Sequence, residues 1–109
     1  MKYLFFLLII LSPLSFAASF DCAKAKSPDE KAICSSPKLN DLDVEMSVKY
    51  HFLRGLFAMG VSGEMYDNQT TWLKQRQKCK GDTACLIQSY HQRIKQLDTL
   101  YNSIEKPVC

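Results

Sequence analysis

The stretch QTTWLKQRQKCKGDTACLIQSYHQRIKQL, residues 69–97, decides the fold. It contains the only tryptophan of the chain and two cysteines, Cys79 and Cys85. Apolar residues recur at helical spacing in and beyond its second half: Leu86, Tyr90, Ile94, Leu97, Tyr101 and Ile104. Gly81 can adopt the positive φ that ends a helix, and Asp82 can cap the next one. The stretch therefore predicts two helices that fold back on each other, with the cysteines at the bend.

The N-terminal residues 1–17 have the layout of a secretory signal peptide. A positively charged start is followed by the apolar run 3–14 and then by small residues. The run is too short to remain as a membrane anchor, and a hydrophobic core helix is the structural alternative. We expect cleavage after Ala17, with Ala18 as the alternative site. The remaining residues, 18–109, are long enough for one small domain with a thin core.

The residues around Cys22 indicate a soluble exported protein. The preceding Ser19-Phe20-Asp21 lacks the Leu-x-Ala/Gly pattern of a lipoprotein signal, and no later segment is apolar enough to cross a membrane. We therefore expect a periplasmic or secreted protein without stable membrane insertion. The formal charge of +3 is weak and its signs are interspersed, which does not favour nucleic acid as a partner.

Capping patterns divide the chain upstream of the central stretch. Ser27-Pro28 with Glu30 forms a capping box and predicts a short helix through Cys34. Ser36-Pro37 starts a second helix in the same way, and we expect it to run to about residue 59. Further helices are expected over about 64–78 and 82–104, with the segment 60–63 as a turn. The sequence predicts an all-α fold, a small antiparallel bundle of three long helices plus a short N-terminal helix.

The cysteines are expected to form disulfides rather than a metal site. Their spacings do not match those of zinc knuckles, and export favours oxidation. Connectivity stays open at this point, because four cysteines allow three pairings and a fifth raises the number to fifteen. Local pairing, Cys22 with Cys34 and Cys79 with Cys85, is the simplest arrangement. It leaves Cys109 as a free thiol, an intermolecular bridge or a member of a different pairing.

Catalytic chemistry is not indicated. His51 and His91 each follow a tyrosine of an apolar stripe, and neither has a neighbouring nucleophile. Asp43 and Arg76 can meet in an antiparallel helix pair, where a structural ion pair is the ordinary interpretation. We therefore expect no enzyme activity, no cofactor and no metal.

Several motifs together resemble a known family. They are Cys22…Cys34, Leu42-Asp43…Tyr50, Gln69-x-x-Trp72-Leu73-x-x-Arg76-x-x-Cys79 and Cys85-Leu86-x-x-x-Tyr90-x-x-Arg93-x-x-x-Leu97. In this pattern, which covers nearly the whole mature chain, the sequence resembles the LprI-type lysozyme-inhibitor family. The founding type is a lipoprotein, however, and Cys109 lies outside the four-cysteine pattern.

The resemblance implies an exported helical domain that inhibits lysozyme or a related peptidoglycan-cleaving hydrolase by occluding its active site. The alternative is an envelope interaction or immunity protein with a different protein partner. We interpret the matched residues as structural: Trp72 and Tyr90 as core, Asp43, Arg76 and Arg93 as an ion-pair frame, and the cysteines as disulfide bridges. Tyr50 and Gln69 are further structural residues of the same motifs.

The segment 60–66, Gly-Val-Ser-Gly-Glu-Met-Tyr, is the predicted partner-binding element. Lysozyme cleaves glycosidic bonds with two carboxyl groups in a cleft, so an inhibitor needs a protruding element that offers hydroxyls, amides or a cation. A turn between two helices would project from the end of the bundle. Ser62, Gly63 and Tyr66 are therefore the candidate binding residues. The alternative is an ordinary helix connection, and Glu64 argues against binding because it would repel an ionised acid.

Overall fold

The structure, a computed structural model, describes residues 18–57 and 59–104. The helices in order are α1 (Pro28–Ser35), α2 (Pro37–Leu56), α3 (Met59–Gln77) and α4 (Thr83–Asn102), preceded by a single 3-10 turn at Cys22–Lys24. The described residues contain no strand. The predicted fold class, an all-α bundle stapled by disulfides, is confirmed. The expected signal peptide and Cys109 lie outside the described residues.

The helix starts follow the capping chemistry of the sequence. The Ser27 hydroxyl accepts from the Glu30 backbone N–H, and the Glu30 carboxylate accepts from the backbone N–H of Ser27, which closes the capping box of α1. Ser36 caps α2, and the Asp82 carboxylate accepts from the backbone N–H of Cys85 at the start of α4. These side chains fix where α1, α2 and α4 begin, so those three helix starts are local properties of the sequence.

Cross-helix contacts define an up-down-up arrangement. Lys49 of α2 forms an ion pair with Asp98 of α4 at 2.8 Å. Earlier on both helices, the Tyr90 hydroxyl of α4 donates a hydrogen bond to Asp43 of α2. Contacts therefore advance together along α2 and α4, which run parallel. The α3 helix is antiparallel to both, since Arg54 near the end of α2 meets Ser62 near the start of α3.

The core is a single apolar cluster in which all four helices take part. Two of its aromatic members are Trp72 and Tyr90, whose rings meet edge to face with centroids 5.1 Å apart. The remaining buried members are Ile33, Leu39, Leu42, Met46, Tyr50, Leu53, Met65, Cys79, Leu86, Ile94 and Leu97. Trp72 is thus a core residue, as the sequence predicts, and its indole N–H donates to the Ser89 carbonyl at 3.2 Å.

Two local disulfides close the end of the bundle that carries the α3–α4 bend. Cys22 pairs with Cys34, and Cys79 pairs with Cys85, which confirms the simplest of the open arrangements. Gly81 between the latter two has φ +85°, and a Cβ at this position would lie 3.1 Å from the Pro28 carbonyl oxygen. Glycine is required here both for the turn and for the close approach of α1.

Removal of the Cys79–Cys85 bridge by a double Cys→Ser substitution is expected to lower the free energy of unfolding by about 2 kcal/mol, because a short closed loop constrains the unfolded chain. Denaturant unfolding measures the effect. Mass spectrometry of the oxidised wild type should first show both intramolecular bridges. An unchanged midpoint after the substitution would mean that the bend holds its shape without the bridge.

The junction between α2 and α3 differs from the prediction. Phe57 is extended, with φ −100° and ψ 155°, and α3 already begins at Met59, so residues 60–63 are helical and do not form a turn. Neither Gly60 nor Gly63 has a positive φ, and a Cβ at either would meet nothing within 4 Å. The predicted helix boundaries at 59 and 64 were wrong because Gly60 and Gly63 were interpreted as breakers, whereas both lie inside α3 without a positive φ.

Within residues 18–57 and 59–104, no helix combines the length and the apolarity that a bilayer crossing requires.

Candidate functional site

The corner between α2 and α3 forms the end of the bundle opposite the Cys79–Cys85 bend. Large apolar side chains are exposed around it, and the most exposed, Met59, has 91% of its surface accessible. Leu56 before the junction and Val61 after it are also exposed. Apolar side chains gathered on a protruding end are typical of a protein-binding surface.

Arg54 organises the polar part of this corner. Its Nε donates to the Ser62 hydroxyl at 3.2 Å, and its guanidinium carbon lies 5.0 Å from the centre of the Tyr66 ring. The structure thus brings together two of the predicted binding residues, Ser62 and Tyr66, around a cation that the sequence analysis did not single out. Gly63 lies between them on α3, with open space over its Cα.

Arg54 has no carboxylate partner among the described residues, since the ion pairs found there involve other side chains. A shallow groove of about 280 Å³ runs from this cluster between α2 and α3, with His51 and Tyr66 in its lining. The corner can therefore offer a partner one cation and two hydroxyl groups beside exposed apolar side chains. Glu64 is exposed and makes no hydrogen bond or ion pair with Arg54, Ser62 or Tyr66. The expectation that Glu64 weakens binding therefore stays a prediction.

The matched motif residues at the other end of α3 form a buried charge cluster. The Arg76 Nε donates to Asp29 Oδ2 at 2.7 Å, and its Nη1 donates to the Tyr90 hydroxyl at 3.2 Å. The Tyr90 hydroxyl in turn donates to Asp43 Oδ1 at 2.7 Å, and Asp43 also accepts from the backbone N–H of Ser19. The Arg76 Nη1 and the Asp43 Oδ1 are 4.0 Å apart, so the predicted pair of Arg76 and Asp43 is connected mainly by the Tyr90 hydroxyl between them.

The protonation states of this cluster follow from burial and charge. Burial raises the pKa of the Tyr90 phenol far above its ordinary range, and the adjacent Asp43 carboxylate raises it further. The phenol therefore stays protonated and acts as a donor. Burial alone would raise the pKa of the Asp29 carboxyl, but the Ser27 hydroxyl and the Arg76 guanidinium outweigh burial and lower that pKa below its usual value.

Arg93 does not belong to an ion pair. Its Nε donates to Gln69 Oε1 at 2.9 Å and its Nη1 to Gln96 Oε1 at 3.0 Å, both neutral amide oxygens. No carboxylate of the described residues lies within 4.0 Å of it. The prediction of Arg93 as part of an ion-pair frame is therefore wrong, and Gln69 is the residue that positions it.

The histidines and the disulfide-bonded cysteines do not form a metal-binding cluster in the part of the chain that the structure describes. His51 and His91 are both exposed, and four cysteines are held in disulfides. Within that part, no group of three or more His, Cys, Asp or Glu side chains is placed to hold a metal ion.

Two residues of these sites escaped sequence reasoning. Glu30 alone closes the capping box of α1, whereas Asp29 in the same first turn is buried against Arg76. An acid that the cap does not need was the available indication. Arg54 lies next to the core residue Leu53, and its sequence neighbours give no comparable indication. Only the position of the α2–α3 junction reveals its role.

Comparison of the chain with protein-family models, with curated proteins and with solved structures gives no match.

Proposed function

We propose that this protein is an exported, periplasmic or secreted binding protein that inhibits lysozyme or a related peptidoglycan-cleaving hydrolase by occluding its active site. The proposal starts from the resemblance of its Trp72 and cysteine motifs to the LprI-type lysozyme-inhibitor family. The observation that carries it is the α2–α3 corner. There Arg54, unpaired with any described carboxylate, contacts both Ser62 and Tyr66 near the end of the bundle.

The chemistry of this corner suits a cleft lined by acids. Glycosidases of the lysozyme type place two carboxyl groups on either side of the bond that they cleave. A guanidinium forms strong, charge-assisted hydrogen bonds with a carboxylate, and the hydroxyls of Ser62 and Tyr66 can bond a protonated or an ionised acid. The exposed Leu56 and Met59 would then cover the rim of the cleft and exclude water.

Loss of Ser62 and Tyr66 is expected to reduce inhibition at least about tenfold, because few contacts carry most of the binding energy of an interface. The Ser62→Ala, Tyr66→Ala double variant should melt close to wild type, since both side chains are near the surface. Lysis of cell-wall substrate by chicken-type, goose-type and invertebrate-type lysozymes provides the measurement. The matched control is Lys74→Ala with Gln77→Ala, two exposed positions at the opposite end of α3.

Unchanged inhibition by the double variant would exclude the corner as the binding element. If wild type inhibits none of the three enzymes and instead captures another envelope protein, the alternative applies, namely an interaction or immunity protein. The exposed apolar residues Leu56, Met59 and Val61 fit that second function equally well, because they serve any protein partner with an apolar face.

A further inference from the structure

A second groove lies on the other side of α3, between α3 and α4. It has a volume of about 470 Å³, within the range of small-ligand sites. Its lining combines the polar side chains of Asn68, Thr71, Gln75 and Arg93 with the apolar side chains of Met65 and Leu100. None of the three predicted binding residues, Ser62, Gly63 and Tyr66, contributes to it. The groove is therefore separate from the corner.

The groove contains a buried positive charge that the protein itself does not neutralise. Arg93 is only 6% exposed, and its two recorded hydrogen bonds go to the amide oxygens of Gln69 and Gln96. The buried acids of the described residues, Asp29 and Asp43, are engaged with Arg76 and Tyr90. Burial lowers the pKa of Arg93, but an arginine begins so far above neutrality that it stays charged.

An unpaired buried charge is costly, and a bound ligand of opposite charge would supply the missing partner. The two glutamines accept hydrogen bonds from Nε and Nη1 of the planar guanidinium. The other terminal nitrogen, Nη2, makes no hydrogen bond within the described chain. A carboxylate has the charge and the geometry that a guanidinium prefers. Asn68, Thr71 and Gln75 along the same groove offer the donors and acceptors that peptide groups require.

We propose that the α3–α4 groove is a binding site for the carboxylate end of a short peptide, with Arg93 as its anchor. The carboxylate accepts from the Arg93 guanidinium, the preceding peptide groups bond the polar side chains of α3, and apolar side chains contact Met65 and Leu100. This site is independent of enzyme inhibition at the corner, so either proposal can fail without the other.

The only tryptophan of the chain lines this groove and reports binding directly. Titration of the oxidised full domain with acetyl-Ala-Ala-Ala as the free acid is expected to change the Trp72 emission and to raise the melting temperature. The same peptide as its C-terminal amide should bind at least about tenfold more weakly, because it lacks the charge. Acetate and inorganic phosphate, tested alone, should bind more weakly than the free acid, since they make no contacts along the groove.

Arg93→Met separates a binding role from a structural one. Loss of an unpaired buried charge is expected to leave the melting temperature unchanged or to raise it, while peptide binding falls at least about tenfold. Arg93→Lys keeps the charge without the planar fork and should bind with intermediate affinity. The control, Lys95→Met, changes the net charge equally at an exposed position of α4 and should bind like wild type.

Three results would overturn the site itself, and a fourth would overturn the peptide as its ligand. They are equal binding of the acid and the amide, equal responses of wild type and Arg93→Met, and a clear fall in the melting temperature of Arg93→Met. The last would make Arg93 a structural residue. If phosphate bound as tightly as the peptide, the groove would be a general anion site and the peptide assignment would be wrong.

Discussion

Replacement of Arg76 by methionine is expected to lower the free energy of unfolding by about 3–5 kcal/mol, as for buried ion pairs that lose one partner. Arg76 is 5% exposed and contacts Asp29 directly and Asp43 through the Tyr90 hydroxyl. Without it, two buried carboxylates remain in the core with no cation. Urea unfolding followed by circular dichroism measures the loss, and the variant should also unfold at a lower temperature.

Two further variants identify the cause of this loss. Arg76→Met combined with Asp29→Asn and Asp43→Asn removes the uncompensated charges and should recover much of the stability. Arg93→Met is the matched control, since it removes an equally buried arginine that has no carboxylate partner. If Arg76→Met and Arg93→Met destabilise equally, the packing of the arginine stems and not charge pairing holds the bundle.

The contrast between these two arginines explains what the sequence can reveal. Both lie about one helical turn after a core aromatic residue. Arg76 is four positions after Trp72, and Arg93 is three positions after Tyr90. Periodicity therefore predicts that both are buried, which is correct. It does not specify which side chains of the other helices oppose them. That depends on the rotation of each helix in the bundle, so the ion pair of Arg76 was predictable as a hypothesis and the isolation of Arg93 was not.

Local chemistry, by contrast, was readable. The caps at Ser27 and Asp82 and the positive φ of Gly81 each involve residues a few positions apart, and all three are present in the structure. The same locality made the two short disulfides predictable in principle. The α2–α3 corner lacks such markers, because Phe57 bends the chain without a glycine, a proline or a capping side chain. Its position is set by the packing of Leu53 and Met65 into a common core.

The start of α3 at Met59, earlier than predicted, changes the kind of surface that a partner would meet. A glycine turn at residues 60–63 would have presented a flexible backbone to a partner, whereas a helix presents fixed side chains. In the structure Ser62 and Tyr66 lie four residues apart on α3 and both meet Arg54 of α2. The candidate binding element is therefore a rigid side-chain cluster, which costs less conformational entropy on binding than a loop.

Replacement of Trp72 by alanine is expected to cost about 3–5 kcal/mol of stability, as large-to-small changes of buried aromatic residues do. Trp72 is 4% exposed, packs edge to face on Tyr90 and lies on the α3 side that contacts α4. A cavity at this point would loosen α3, because the two helices are otherwise joined only at the disulfide bend and through a few side-chain contacts.

Trp72→Phe is the matched variant for this position. It retains an aromatic ring against Tyr90 but loses the hydrogen bond from the indole N–H to the Ser89 carbonyl, so we expect a smaller cost of about 1 kcal/mol. Denaturant unfolding of both variants, followed by circular dichroism, gives the comparison. If Trp72→Ala remained as stable as wild type but lost its partner, Trp72 would be a binding residue exposed in solution. In that case α3 and α4 would have to separate at the groove that Trp72 lines, and the closed bundle would be only one of two states of the protein.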